Sequence, residues 1–350
     1  MTAGIPTSAL DYELPPGRIA QRPLAQRDGS RLLHVAPSGE LSDRRFAELP
    51  MLLQPGDVCV VNDTRVRAAR LRCRRADGGD GELLVIRHLH DNTYLCLAKP
   101  ARRMRAGTRL CAGDELEAVI TGTAGDHPGA RAVALFARGG DVDSAIARSG
   151  TAPLPPYIRE PLRDADRYQT VYAHGPATSA AAPTAGLHFT PQIMDALARR
   201  DIAWASVRLE VGLGTFTPMR TDLVERHTMH EEAFSITEAA AQTIKSARRR
   251  GGRVVAVGTT VARVLETCAE GGAALGGRSG ATSLFINPGH EFRAIDGLLT
   301  NFHQPRSSLL ALLAAFVGMD RWRSAYEHAL AHDYRFLSFG DCMLCWRRAG

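Results

Sequence analysis

Histidines and carboxylates gathered in short polar clusters are the groups of this chain suited to moving protons near neutral pH. His227-Thr-Met-His230-Glu231-Glu232 puts four titratable side chains into six residues. A histidine beside a carboxylate suits general acid–base work. A metal site is not expected, because no H-E-x-x-H pattern or Cys/His partner set accompanies the pair. Thr184-Ala-Gly-Leu-His188-Phe189 sets a histidine and an aromatic beside Gly186, and Leu299-Thr-Asn301-Phe-His303-Gln-Pro305 sets an asparagine and a histidine ahead of an apolar run. Asn62-Asp63-Thr64-Arg65 ends an apolar strand pattern with four hydrogen-bonding side chains. Singly, such residues read as caps or structural partners. Together the clusters point to a polar pocket without naming a reaction.

Two glycine segments could admit a ligand. Val211-Gly-Leu-Gly-Thr-Phe216 follows a strand pattern but lacks the third glycine of a dinucleotide fingerprint, so it reads as a ligand loop or a tight turn. Val257-Gly-Thr-Thr260 lies between a buried strand and a helix, where free amides face an anion such as a carboxylate unless Thr259 or Thr260 merely caps the helix. Arg70, Arg72 and Arg74 alternate onto one face of a strand, with Arg102, Arg103 and Arg105 nearby; this is a solvated face or a contact for nucleic-acid phosphates. Cys342-Met-Leu-Cys345 has no second pair, and a strand pattern over 334–339 just before it sets positions three apart on opposite faces, so these cysteines read as inert.

These residues need a scaffold. The chain has 350 residues, 45% hydrophobic and 23% charged, a globular mixture that excludes a disordered or collagenous protein. No apolar run approaches the roughly 20 residues of a membrane span. Nothing at the N-terminus resembles a secretion signal, so a soluble cytoplasmic protein is expected. The net charge of 43 − 37 = +6 rests almost wholly on arginine and favours an anionic partner. Seven scattered cysteines make no disulfide framework and fit a reducing compartment. After a buried strand at 57–62, five strand-like runs (66–73, 82–89, 94–98, 116–121 and 132–137) and a short helix at 142–148 suggest a small β-barrel. Beyond 153 the pattern alternates. It gives a helix from Pro191 behind Thr190, a strand at 202–211, a helix at 238–250 behind Thr237 and a strand at 253–257. A helix from Thr260, a strand at 283–286 and helices at 307–317 and 320–332 follow. The expected architecture is a layered α/β main domain, residues 1–64 and 153–350, interrupted by an inserted β-barrel domain, residues 65–152.

Taken in order, the motifs carry a resemblance. Tyr12-Glu-Leu-Pro15, Arg27-Asp-Gly-Ser-Arg-Leu32, Asn62-Asp-Thr-Arg-Val66, Pro153-Leu-Pro-Pro-Tyr-Ile158, Arg167-Tyr-Gln-Thr-Val-Tyr172, Ala182-Pro-Thr-Ala-Gly-Leu-His-Phe-Thr190, Val211-Gly-Leu-Gly-Thr-Phe216, Gly258-Thr-Thr260 and Leu298-Leu-Thr-Asn-Phe-His303 all match. Over nearly its whole length the chain resembles the S-adenosylmethionine:tRNA ribosyltransferase-isomerase family of queuosine biosynthesis. The resemblance implies an α/β domain carrying a β-barrel. It implies S-adenosylmethionine as a ribosyl donor and co-substrate, with no permanently bound cofactor and no metal. The acceptor would be tRNA carrying 7-aminomethyl-7-deazaguanine at the wobble position, the products epoxyqueuosine, adenine and methionine, and the protein a monomer off the membrane.

A base that removes the acidified C5′–H of the sulfonium and an acid that protonates departing adenine are then required. The candidates are His188, His230, His303, Asp63 and Glu231. Gly212, Gly214, Thr215, Phe216, Gly258, Thr259, Thr260, Thr184, Gly186 and Asn301 would line the donor pocket. The chain departs from the family at Glu210, where a histidine is usual, at Asn287 for tyrosine and at Cys342 for alanine. A Rossmann-type methyltransferase would need a glycine-rich strand–turn–helix that is not found. A non-catalytic RNA-binding protein would explain the arginines but leave the histidine, glycine and asparagine clusters without a purpose.

Overall fold

The most continuous apolar runs of the chain become the middle of a nine-stranded mixed sheet. Its strands are β1 (Arg31–Val35), β2 (Leu41–Arg45), β3 (Val58–Asn62), β4 (Ala203–Leu209), β5 (Glu232–Ile236), β6 (Val254–Val257), β7 (Arg278–Thr282), β8 (Gly297–Asn301) and β9 (Cys342–Trp346). Their spatial order is β7-β5-β4-β3-β6-β8-β9-β1-β2. The computed structural model describes residues 4–125, 128–212, 218–270 and 275–347. The chain falls into two compact units, one of Met1–Thr64, Pro155–His174 and Ala182–Gly350, the other of Arg65–Leu154 and Gly175–Ala181. Among the described residues no helix is long and apolar enough to cross a membrane.

The first unit holds the sheet. Strands β3, β6, β8 and β9 are buried at every position, because both of their faces are covered. The edge strands Leu41-Ser-Asp-Arg-Arg45 and Arg278-Ser-Gly-Ala-Thr282 are polar and largely exposed, which discourages further pairing. Helix α1 (Pro191–Arg199) sends Ile193 and Leu197 into a cluster with Val61, Val257, Leu299 and Leu344. Helices α2 (Glu238–Arg249) and α3 (Thr259–Ala269) pack on β4, β3 and β6, and α4 (Ser308–Val317) packs on α5 (Met319–Ala331) and β9. Hydroxyls cap three of these helices, Thr190 and Thr237 as their positions suggest and Ser307 in addition, although the sequence pattern counts it within its helix. Thr190 accepts from the Ile193 N–H at 3.3 Å, Thr237 from Ala240 at 3.1 Å and Ser307 from Leu310 at 3.2 Å.

Pairing is parallel from β4 to β3 to β6 to β8. All four strands therefore release their chains at one edge, after Leu209, Asn62, Val257 and Asn301. Strand β9 runs antiparallel to β8 and β1 parallel to β9, so Ser30 and Asp341 precede their strands at that same edge. Nearly all the polar motifs of the unit converge there, where ligands bind in open α/β sheets.

Two elements of this unit differ from their expected positions. The strand expected at 283–286 is β7, five residues earlier. Four of its five residues are exposed, so no apolar alternation marks it, whereas Leu284 and Phe285 lie in irregular chain. The strand expected at 334–339 is an irregular turn with Leu337 at φ 70°, and the true strand begins at Cys342. Cys342 joins the cluster with Leu344 and Trp346; both Cys342 and Cys345 are buried, which holds their thiols protonated.

The second unit holds a closed antiparallel barrel of six strands in the order Ala130–Ala137, Thr93–Lys99, Asp80–His90, Arg70–Arg75, Arg109–Ala112 and Leu116–Thr123. The strand Arg109–Ala112 has no counterpart among the five runs read from the sequence. Only Leu110 and Ala112 face inward, too few for a period to show. Arg72 and Arg74 are exposed, Arg70 is half-buried, and Leu71, Cys73 and Arg75 turn inward. Helix Val142–Ser149 is capped by Asp141. Ala177–Ser179 pairs in parallel with Arg65–Val66, so residues 175–181 pack with the barrel unit although the sequence reading sets them in the α/β part.

The opposite edge of the sheet is a stability element. The Asp57 carboxylate, 1% exposed, accepts from the Gln54 and Arg253 amides at 2.9 Å and from the Arg253 guanidinium at 2.6 Å; that guanidinium stacks on Trp346 at 3.7 Å. One carboxylate thus ties the starts of β3 and β6 to the end of β9. Asp57→Ala should cost roughly 3 kcal/mol, because it strands an arginine and two amides. Chemical denaturation checks this; a loss below about 0.5 kcal/mol would mean that the pair contributes no more than a surface ion pair.

Candidate functional site

Asn301, at the end of β8 and 2% exposed, is the centre of the edge. Its Oδ1 accepts from Thr184 Oγ1 at 3.1 Å, and its Nδ2 donates to His188 Nε2 and to the Leu337 carbonyl, both at 3.3 Å. Thr184 and His188 are the two ends of one 3-10 turn, Thr184–His188, so the amide pins that turn across the strand ends. His188 Nε2 accepts, so its proton sits on Nδ1 and is donated to Ser30 Oγ at 2.8 Å. Phe46 stacks on the imidazole at 5.2 Å. Burial, reinforced by the Arg335 and Arg27 guanidiniums, pushes this imidazole down to about 3.

His303 is held as firmly. Thr300 Oγ1 lies 2.8 Å from its Nε2, its amide donates to the Tyr326 hydroxyl at 2.8 Å and its carbonyl accepts from the Tyr12 hydroxyl. Burial alone pushes His303 down to about 3. Both histidines are therefore neutral at physiological pH. Neither stores a proton to give to a leaving group, and each is a weak base.

The other titratable candidates sit differently. Asp63 is paired with Arg208 Nε at 3.2 Å, and its carbonyl accepts from the His174 amide at 2.9 Å. Asn62 clamps β3 to β4 through Leu209, its Nδ2 at 3.0 Å from the carbonyl and its Oδ1 at 3.1 Å from the amide. His230 and Glu231 are exposed ahead of β5 and, among the described residues, make no hydrogen bond to the Asn301 network. His227 is half-buried against Phe285, and burial together with His230 lowers its pKa.

The buried carboxylate of this cluster is Glu232, which the sequence reading did not select. The β pleat turns it inward with Phe234 and Ile236, and that period-two pattern is the signal that could have found it. Glu232 accepts from the Gly212 amide at 2.7 Å and pairs with Arg263 of α3, whose Nε donates to the Leu284 carbonyl at 2.9 Å. It thereby fixes where the chain leaves β4.

The glycines separate by cause. Gly258 has φ 95°, open only to glycine at low cost, and starts α3 without a side-chain cap. The first-turn amides are left for another partner, and the buried Thr260 Oγ1 has no hydrogen-bond partner among the described residues. Thr259 is buried beside it. At Gly186 a Cβ would lie 2.0 Å from the Tyr172 hydroxyl, so packing, not a ligand, demands that glycine. Gly212 is described; Gly214, Thr215 and Phe216 lie outside the described residues.

The depressed imidazoles set a pH dependence. A folded-state value of about 3 against an ordinary 6.5 means that the unfolded chain binds more protons as pH falls below 6.5, so stability falls with pH down to about 3. At pH 5 each histidine should withdraw about 2 kcal/mol. Replacing His303 by Gln should shrink the pH 7-to-5 change in unfolding free energy by about that amount, read by urea denaturation. An undiminished change would place the pH dependence elsewhere.

A family model described as queuosine biosynthesis protein matches residues 7–345. The S-adenosylmethionine:tRNA ribosyltransferase-isomerase of Moorella thermoacetica is 48% identical over 337 residues, covering 95% of this chain and 98% of that protein. The protein of the same name from Anaeromyxobacter sp. (strain K) is 47% identical over 347 residues, covering 97% and 99%. A crystal structure of S-adenosylmethionine tRNA ribosyltransferase from Thermotoga maritima aligns with TM-score 0.56 at 36% identity, over 97% of this chain and all of that one. With its strand-end motifs and both compact units inside that match, the chain belongs to the queuosine biosynthesis protein family.

Proposed function

We propose that this chain is an S-adenosylmethionine:tRNA ribosyltransferase-isomerase. It moves the ribosyl unit of S-adenosylmethionine onto the aminomethyl group of 7-aminomethyl-7-deazaguanine at the tRNA wobble position and rearranges it to epoxyqueuosine, releasing adenine and methionine. The observation that carries this reading is the near-full-length identity, 44–48%, to relatives bearing that name. The convergence of Asn301, Gly258, Thr259, Thr260, Thr184 and Gly212 on one sheet edge agrees with it.

The sulfonium of the donor acidifies its C5′–H, and removal of that proton leaves an ylide. Adenine departs with a proton on the ring, and methionine leaves as a neutral thioether. The α3 amides and Thr260 Oγ1 are suited to the donor's carboxylate, since they present unpaired donors behind Gly258. His188 and Asn301 hold the Thr184–His188 turn against the strand ends, and His303 stiffens the segment after β8. With both imidazoles neutral, His230, Glu231 and Asp63 are the candidates of this unit left for proton transfer. Glu210 adds a carboxylate where the family resemblance leads one to expect histidine. A tRNA substrate is in keeping with a cytoplasmic protein.

Incubation with S-adenosylmethionine and tRNA carrying the aminomethyl-deazaguanine should release adenine and methionine and leave epoxyqueuosine in the RNA, read by mass spectrometry. Appearance of S-adenosylhomocysteine would identify a methyltransferase instead, and an intact donor with bound RNA a binding protein. Thr260→Val should raise the KM for S-adenosylmethionine about tenfold with an unchanged melting temperature, the value of one hydrogen bond. An unchanged KM would remove Thr260 from the donor site.

A further inference from the structure

Arg27, Arg167 and Arg335 converge on one small cavity of the α/β unit, about 20 Å³, which Ser30 and His188 close from within. All three side chains are half-buried, and each is held by neutral carbonyls. Arg27 donates to Leu187 O at 3.1 Å and Asp166 O at 2.8 Å, Arg167 to Ala25 O at 3.1 Å and Leu24 O at 2.5 Å, and Arg335 to Phe339 O at 3.0 Å. Carbonyls fix the guanidiniums without cancelling their charge. Among the described residues no carboxylate oxygen lies within 4.0 Å of a guanidinium nitrogen of Arg27 or Arg167, whereas Arg335 pairs with the buried Asp341, whose Oδ1 lies 3.8 Å from its guanidinium and whose Oδ2 accepts from its backbone amide at 2.8 Å.

The surplus charge is felt by its neighbours. Burial and then Arg167 depress Arg27, against an opposing pull from Asp164 and Asp166, and both Arg335 and Arg27 help depress His188. Arg167 Nε is buried with no hydrogen-bond partner among the described residues. Clamping loops needs donors, which a neutral amide could supply; gathering three cations at one mouth, of which only Arg335 has a carboxylate within 4.0 Å among the described residues, costs repulsion that a bound anion relieves. The cavity has room for about one water, so the anion sits at its rim and not inside.

We propose that Arg27, Arg167 and Arg335 form a seat for an oxyanion, namely a phosphodiester of the RNA substrate, next to the Asn301 network. This rests on the tRNA reading above. The donor's carboxylate carries the same chemistry, but the uncapped α3 terminus already offers it a place, whereas a rim of pre-positioned guanidiniums matches backbone phosphate.

The test compares the wild-type chain with Arg167→Gln and Arg167→Lys, with exposed Arg199→Gln as control. Each is measured for equilibrium binding of tRNA carrying the aminomethyl-deazaguanine between about 50 and 200 mM salt, and for S-adenosylmethionine binding by calorimetry. Arg167→Gln should weaken RNA binding roughly ten- to a hundredfold and lower the slope of log K against log salt by about one, with donor binding unchanged. Arg167→Lys should restore the slope. A slope unchanged in Arg167→Gln, even with a lowered melting temperature, would make the residue a loop clamp and overturn the proposal. Loss of S-adenosylmethionine binding with RNA binding intact would reassign the seat to the donor carboxylate. Adenine release by the wild type in the same preparation separates failure of the seat from failure of the functional reading. A wild type that neither binds the tRNA nor releases adenine overturns both.

Discussion

The carboxamide of Asn301 is the contact on which the rest of the site depends. A buried amide must satisfy an acceptor and two donor hydrogens, and here those partners come from two segments distant from it in sequence, the Thr184–His188 turn and the turn at Leu337. Because the amide ends β8, it transmits the position of the sheet to the Thr184–His188 turn. Leu337, held at φ 70° by this arrangement, is a bulky residue in a conformation usually left to glycine or asparagine, a local cost that the surrounding hydrogen bonds sustain.

The same network decides the protonation of the site. An imidazole that accepts from Asn301 and donates to Ser30 has both nitrogens occupied as the neutral tautomer. Adding a proton would turn an acceptor into a donor facing an amide N–H, in a buried site already near two guanidiniums. The histidines that look like proton carriers in the sequence are therefore rigid neutral members of a scaffold. The positive field around His188 serves instead to attract oxyanions.

Division of labour along the sheet follows from strand direction. One edge, around Asp57, Arg253 and Trp346, holds a saturated ion pair and an aromatic lid and supplies stability. The other, where four parallel strands release their chains, holds α3 with no side-chain cap, the Thr260 hydroxyl, which has no partner among the described residues, and the half-exposed arginines. Glu232 links the start of the segment after β4 to Arg263 of α3, so two parts of the candidate donor site share one buried ion pair.

Much of this was legible in the sequence, because some signals are local. Apolar runs such as Val-Cys-Val-Val and Val-Val-Ala-Val become central strands wherever both faces are covered. Thr190 and Thr237 cap helices because their hydroxyls reach amides only three residues away, and alternation in Arg70–Arg75 shows which arginines face out. The ordered motifs likewise sufficed for the family. Tertiary structure decided what depends on partners far along the chain. Edge strand β7 and the barrel strand Arg109–Ala112 carry too few inward apolar residues to show a period, so only pairing defines them. That Glu232 is buried and Glu231 exposed depends on where β5 begins and which of its faces packs inward. The neutrality of His188 and His303, and the convergence of Arg27, Arg167 and Arg335, needed burial and neighbours up to about three hundred residues apart, because desolvation and charge act through space and not along the sequence.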